Sequence, residues 1–440
     1  MTRWFAPIAA VAAALLAASP ASAVTIEKIT SPAGIQAWLV REKAVPLIAL
    51  NYAFRGGSTQ DPAEKSGAAN LATGLLDEGA GDLDSKAFQE RLENNAIELG
   101  FQVTRDYFRG SLRVLNDRRD EAFDLLRLAL TAPRFDAAAV ERVRGQVLSG
   151  LRRDTTNPNN IAGENWWQTA FPNHPYGRDG KGTLETVPRI GVPDLRDYVR
   201  RVFARNALTI SIVGDVDAKT AGELIDRAFG SLPAKNDLKL VPAATLAGLG
   251  RRNVITLDVP QAVVTFGGTG LARNDPDFMA AYVVNHILGG GSFSSRLYRE
   301  VREKRGLAYG VSSNLVWLNS AAMLMGGTAT RADRTGDALA IIEAETKRMA
   351  EKGPTQEELD AAKSFLKGSY ALSLDTSSKI AAQLTQIQLD DLGIDYIDRR
   401  GAMIDAITLD DARRAAKRLY EGGMLVTVVG RPAGVISTGQ

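Results

Sequence analysis

The sequence predicts an α+β protein of two similar halves, each a mainly antiparallel sheet with helices packed on one face. Three observations carry this prediction. A strand, glycine pair and proline turn occur twice, a helix–strand unit closes each half, and a proline-bearing stretch separates the halves.

The first strand is the apolar run Val45–Phe54, followed by Gly56-Gly57 and the turn Asp61-Pro62. Its counterpart is Val259-Pro260 and Ala262–Phe266, followed by Gly267-Gly268 and Asp275-Pro276. The prolines Pro46 and Pro62 are 16 residues apart, as are Pro260 and Pro276. An apolar helix is predicted next in each half, Ala68–Leu76 and Phe278–Leu288. Glu121–Leu130 reads as an amphipathic helix of the first half. The closing strands read ALTISIVGD at 207–215 and MLVTVVGR at 424–431. Each follows a basic amphipathic helix, Tyr198–Ala204 and Ala412–Tyr420. The proline pairs repeat at an offset of 214 and the terminal glycines at 216, so both ends of the unit recur in step. Leu232–Arg252 holds two prolines, small residues and no aromatics, which predicts a linker. The expected domains are 24–231 and 253–440 around a linker at 232–252.

Ahead of them, Met1-Thr2-Arg3 precedes an apolar run from Trp4 to Ala18 and the small-residue stretch Ser19-Pro20-Ala21-Ser22-Ala23. This is the pattern of a secretory signal peptide cut after Ala23. The alternative, an uncleaved anchor, meets the difficulty that a run of about 15 residues is short for a bilayer. No other stretch is apolar enough to span, so no membrane span is expected in the mature chain. Export together with the absence of cysteine fits the periplasm, with large cores taking the place of disulfides. Basic and acidic side chains nearly balance, 53 against 51, which gives no reason to expect nucleic acid or an anionic membrane surface as partner.

The chain has two histidines, His174 and His286. A zinc peptidase site ordinarily needs two histidines one helical turn apart plus a carboxylate, and no such pair exists. His174 lies in a proline-flanked turn, and His286 in the apolar helix reads as a packed, hydrogen-bonded side chain. There is no G-x-S-x-G elbow for a serine nucleophile. The glycines Gly289–Gly291 are not followed by G-K-[ST], so they read as a flexible loop and not as a phosphate cradle. Trp166-Trp167 reads as core or interface.

The segment Gly289-Gly290-Gly291-Ser292-Phe293-Ser294-Ser295-Arg296-Leu297-Tyr298-Arg299-Glu300-Val301-Arg302-Glu303-Lys304-Arg305-Gly306-Leu307-Ala308-Tyr309 closely resembles the C-terminal-domain signature of the pitrilysin, insulin-degrading enzyme and mitochondrial processing peptidase family. The repeat, the length and the turn His174-Pro175-Tyr176-Gly177 fit the same family. Active members carry H-x-x-E-H on the first long helix and a distal glutamate as a further zinc ligand. The matching positions here are Asn70, Thr73 and Gly74, with Gly150 in place of the distal glutamate. Glu141 and Glu164 flank that region out of step. The resemblance therefore implies that this chain holds no metal and that zinc belongs to a homologous H-x-x-E-H partner subunit.

It also implies a contribution from Arg302 and Tyr309, seven residues apart, as donors to the scissile carbonyl and its oxyanion in trans. On an α-helix, Arg296 would pair with Glu300, Arg299 with Glu303 and Glu300 with Lys304. That leaves Arg302 with no carboxylate at three or four residues, free for a ligand; its other reading is a solvated arginine on a charged face. Gly306 is expected to end the helix. Tyr309 opens a strand running through Val311 to Leu318, where its other reading is a half-buried strand tyrosine. Gly326-Gly327-Thr328 is expected beside a bound peptide, through strand addition. The function so implied is the substrate-binding, non-metal subunit of a heterodimeric peptidase. The alternatives are a non-enzymatic peptide-binding or scaffold protein of the same fold, and a self-sufficient peptidase with unusual ligands.

Overall fold

The computed structural model describes residues 25–438; the predicted signal peptide lies outside them. Strands β1 (Ile26–Thr30), β2 (Gln36–Arg41), β3 (Leu47–Arg55), the two-residue β4 (Gly79–Ala80) and β5 (Leu83–Asp84), β6 (Glu98–Val103), β7 (Tyr107–Leu115) and β8 (Leu208–Gly214) belong to the first half. Strands β9 (Arg252–Thr256), β10 (Gln261–Thr269), β11 (Ala308–Trp317), β12 (Ala322–Arg331) and β13 (Leu425–Gly430) belong to the second.

The first large sheet runs β1-β2-β8-β3-β7-β6 and the second β9-β13-β10-β12-β11. Apart from β1 the two orders match strand for strand. In each, one pair is parallel, β2 with β8 and β9 with β13, and the rest are antiparallel. The register repeats as well: Asn51 faces Ser211 in one sheet, and Thr265 faces Thr427 in the other. The repeat read from the sequence is thus a repeat of topology. Residues 231–251 form neither helix nor strand. They are pinned along the molecule, where Gln60 Nε2 donates to Lys239 O and Ala247 N donates to Ala170 O.

Strand alternation explains the layers. On β3, Ile48, Leu50, Tyr52 and Phe54 are all buried on the helix-covered face of the sheet, where Phe54 stacks on Phe203 at 4.9 Å. The opposite face of each sheet is covered by a helix from the other half. The helix Pro158–Ala170, capped by Asn157 with proline at its first turn, places Trp166 against the second sheet. Trp166 is fully buried and its indole N–H donates to Leu425 O at 3.1 Å. Gly267 makes room for it, since a Cβ there would sit 2.5 Å from the indole ring. The helix Ser377–Leu389 crosses to the first sheet. There Leu384 is buried, Thr385 Oγ1 donates to Asn51 O, and Gln388 Nε2 donates to Ile210 O and Ser211 Oγ. This reciprocal exchange locks the halves through apolar burial plus satisfied polar contacts.

Two predicted helices are shorter than expected. The first is Ala68–Thr73, ending at Gly74. The second is α-helical over Phe278–Asn285 and then widens into a π turn, His286–Gly290, closed by Gly291 N donating to His286 O. Asn285 fixes that change of pitch by bonding both the carbonyl and the hydroxyl of Ser313 on β11.

Candidate functional site

Two regions carry the residues singled out from the sequence, and the fold treats them differently. In the first, the helix Ala68–Thr73 starts on a buried carboxylate: Asp61 accepts from Gly67 N and Ala69 N, each at 3.0 Å. Burial pushes its carboxyl up to about 7 against those two bonds and the nearby Arg178. Along the helix, Thr73 is buried and its hydroxyl donates back to Ala69 O at 2.7 Å, so it is committed to its own backbone. Gly74 faces the helix Ala137–Asp154; a Cβ on it would lie 3.3 Å from Val143. Gly150 lies on that same helix, two turns beyond Val143.

Asn70, Thr73, Gly74 and Gly150 together offer an amide, an engaged hydroxyl and two positions without side chains. This set does not fit a zinc ion, which takes histidine, cysteine or carboxylate ligands. Glu141 pairs with Arg144 on its own helix. Glu164 is pushed up to about 7 by burial and by the neighbouring Asp179. Among the described residues no group of three or more His, Cys, Asp or Glu side chains is placed to hold a metal ion. The histidines are apart and differently used. His174 Nδ1 accepts from Tyr176 N inside its turn, and His286 stacks on Phe365 at 5.0 Å, where burial pushes its pKa down. His286 is packed as expected but makes no side-chain hydrogen bond among the described residues.

The second region is the signature segment, and here the geometry departs from the sequence expectation in an informative way. Tyr298–Glu303 is a π-helix, with Lys304 N donating to Arg299 O. The wider turn breaks most of the expected four-residue pairs. Only Glu300 with Lys304 forms, at 2.7 Å, and Arg305 joins the same carboxylate at 2.6 Å. Arg296 instead grips Glu358 on the helix Gln356–Leu372 through Nε and Nη2, at 2.7 and 2.5 Å, and Arg299 approaches Glu358 at 3.5 Å. Arg296 is 4 % exposed, so this two-pronged pair anchors the segment to the body of the half.

Arg302 makes no side-chain hydrogen bond and no ion pair among the described residues. Its guanidinium lies between two rings, 4.8 Å from the centre of Tyr298 and 4.6 Å from that of Tyr309. These contacts engage the face of the cation and leave its N–H donors without a hydrogen-bond partner among the described residues. Gly306, at φ +60°, ends the helix as predicted, with its N–H donating to Arg302 O.

Tyr309 is 85 % exposed, not half-buried. The cause is a β-bulge: Ala308 pairs with Thr330 but Val311 pairs with Thr328, so Tyr309 and Gly310 are two residues against one. The bulge is clamped from β12, where Thr330 Oγ1 donates to Leu307 O and Thr328 Oγ1 donates to Gly310 O.

Those bonds reassign Gly326, Gly327 and Thr328. β12 is hydrogen-bonded to β10 on one side and β11 on the other, so this stretch offers no free backbone edge. The open edge on that side is β11. Gly326 is required by packing, since a Cβ there would lie 2.4 Å from the Phe266 ring. Thr328 is buried and serves the bulge. The sequence reading missed Phe293, which is 69 % exposed and sits edge-on to Tyr298 at 4.9 Å, extending the ring–guanidinium row. Its signal was an aromatic five residues before Tyr298, which the turn Ser292–Ser294 brings beside that ring.

Residues 45–183 match the insulinase family, peptidase family M16, and residues 189–366 match the peptidase M16 inactive domain. A non-peptidase homolog of Helicobacter pylori is 30% identical over 81% of this chain and 82% of its own length. An uncharacterized zinc protease of Streptomyces coelicolor is 27% identical over 92% of this chain and 90% of its own. Among solved structures, a peptidase M16 inactive domain from Pseudomonas fluorescens superposes with a TM-score of 0.88 at 26% identity, covering 94% of this chain and 99% of that one. With both family models matched along the chain and a relative 30% identical over most of its length, this protein belongs to the insulinase family, peptidase family M16.

Proposed function

We propose that this chain is the substrate-binding, non-metal subunit of a two-subunit zinc peptidase of the periplasm, working with a homologous chain that carries H-x-x-E-H. The observation that carries the reading is the state of Arg302: unpaired, oriented by two rings, and next to a tyrosine lifted out of its strand by a bulge. A guanidinium and a phenol in this arrangement suit a carbonyl oxygen as negative charge develops on it, because both donors are in place before the charge appears. The open β11 edge beside them suits an extended peptide. The pattern of residues 1–23 supports export.

The test is reconstitution with the metal-bearing partner. Arg302→Ala and Tyr309→Phe are expected to lower the peptidase rate of the complex by about 10²–10³-fold and by less than that, respectively. An unchanged rate in both rejects the reading.

A non-enzymatic peptide-binding or scaffold role is the second reading, and the resemblance to a relative named a non-peptidase homolog favours it. It predicts a stable complex that hydrolyses no peptide with any metal-bearing partner.

A further inference from the structure

Away from the Arg302 face, a cavity of about 340 Å³ opens between the helices Phe278–Asn285, Gln356–Leu372, Ser377–Leu389 and Tyr396–Asp405. The charged groups on its wall are Arg273, Arg400 and Asp390: two guanidinium groups against one carboxylate.

Asp390 is largely spoken for. Its Oδ1 accepts from Trp317 Nε1 at 3.0 Å and from Gln386 Nε2 at 2.9 Å, while Oδ2 lies 3.7 Å from Arg273 Nε. That last separation is too long for a good hydrogen bond. Arg273 lies over Phe278, 4.3 Å from the ring centre, and its Nη2 donates to the Tyr396 hydroxyl at 2.9 Å. Arg400 is 6 % exposed and stacks on Tyr370 at 4.2 Å. It donates one hydrogen bond, to Leu366 O at 3.0 Å, and has no ion-pair partner among the described residues.

A buried guanidinium without a counter-charge is costly. Among the described residues no carboxylate pairs with Arg400, whereas Arg273 faces Asp390. Tyr396 and Arg400 are four residues apart on one helix and share a face, so the two arginines converge on the same wall. The rest of the wall mixes apolar side chains, Met279, Leu366 and Ile387 among them, with the polar Ser369, Ser373, Gln383 and Gln386. Two planar donor groups, each held over an aromatic ring and beside the apolar Met279, Leu366 and Ile387, match a carboxylate attached to an apolar body.

We propose that this cavity binds a small ligand with a free carboxylate and an apolar side chain, its carboxylate between Arg273 and Arg400. The chemistry is that of a C-terminal peptide residue or of a free amino acid. The proposal stands independently of the partner-subunit reading.

The experiment is calorimetric titration of the full chain with three probes: Ala-Ala-Phe, its C-terminal amide, and free phenylalanine. The expected result is binding of the acid and at least about tenfold weaker binding of the amide, the loss of a charge-assisted contact. Phenylalanine binding as tightly as the tripeptide supports the proposal with a free amino acid as ligand. Tripeptide binding alone supports it with a peptide terminus. Arg273→Gln and Arg400→Gln should each weaken the acid about tenfold or more. Because Arg400 is buried, Ser369→Phe provides a second line: it narrows the cavity without touching either arginine and should abolish binding while leaving the melting midpoint in place. The proposal is overturned if acid and amide bind alike, if no probe binds up to about 10 mM, or if Arg273→Gln and Ser369→Phe both leave the affinity unchanged.

Discussion

The guanidinium carbon of Arg302 lies 4.6 Å from the ring centre of Tyr309, although a helix end and a chain reversal separate the two residues. Three local devices produce the approach. Arg302 lies one helical turn after Tyr298, Gly306 adopts positive φ to reverse the chain, and the bulge at Tyr309-Gly310 points the phenol outward. A site assembled this way is sensitive to backbone geometry as well as to side-chain identity.

The first prediction follows from the stacking. Tyr298→Leu leaves both donors in place but removes one of the two rings that orient Arg302. In a reconstituted complex the rate should fall by less than with Arg302→Ala, with the effect on kcat larger than on KM. An effect equal to that of Arg302→Ala would show that Tyr298 does more than orient.

The anchor of the segment gives a pH prediction. Burial raises the Glu358 carboxyl, but hydrogen bonds from Arg296 and from Thr355 N outweigh it and hold the group at about 2. A carboxylate whose pKa is lower folded than unfolded contributes stability above its unfolded value, and that contribution is lost as pH falls toward 2. Glu358→Gln should therefore flatten the loss of stability between about pH 4.5 and pH 2. It should also cost about 3–5 kcal/mol at pH 7 by stranding buried Arg296. Urea denaturation at several pH values measures both.

The exchanged helices predict strong coupling between the halves. Trp166→Ala removes a fully buried ring and its hydrogen bond to Leu425, a loss of about 3–5 kcal/mol. The helix that carries it belongs to the first half while the pocket belongs to the second. Unfolding monitored by probes in each half should therefore change from one shared transition to two. A single shared transition in the variant would mean that other contacts suffice to couple them.

Gly326→Ala is expected to destabilise by about 1–3 kcal/mol. Its Cβ would come 2.4 Å from the Phe266 ring and 2.6 Å from Ser312 O, and a backbone oxygen cannot swing away. Chemical denaturation reads the change directly.

Zinc should leave the chain unaltered. A ligand at 100 times its Kd adds about 2.7 kcal/mol, which a melting curve would register as a shift of several degrees. With Asn70, Thr73, Gly74 and Gly150 as they are, zinc or a chelator should leave the midpoint where it was.

Much of the architecture was legible because it depends on patterns that recur. The strands around Val45–Phe54 and Ala262–Phe266, and the closing strands ending in Gly214 and Gly430, were readable from apolar runs and paired glycines. The resemblance matched the metal motif to Asn70, Thr73, Gly74 and Gly150, and ligand chemistry follows residue type: no fold gives Gly74 or Gly150 a side-chain donor atom. Arg302 and Tyr309 came from the resemblance of the signature segment, and the absence of a carboxylate three or four residues from Arg302 was readable from residues 298–306.

The tertiary structure decided the rest. Helix pitch is set by where a segment is anchored, and Arg296 reached across to Glu358, 62 residues away, in preference to Glu300 nearby. Strand position is set by neighbours that sequence does not name, which moved the free edge from β12 to β11 and turned Thr328 from a candidate peptide contact into the clamp of the bulge. The exposure of Tyr309 followed from a single extra residue against β12. By itself the sequence determined two copies of one α+β unit and, in the first, the residue types at the positions matched to the metal motif. Long-range packing decided which of the remaining polar groups are engaged and which, like Arg302, are left open, because a hydrogen bond or ion pair depends on distances that only the folded chain sets.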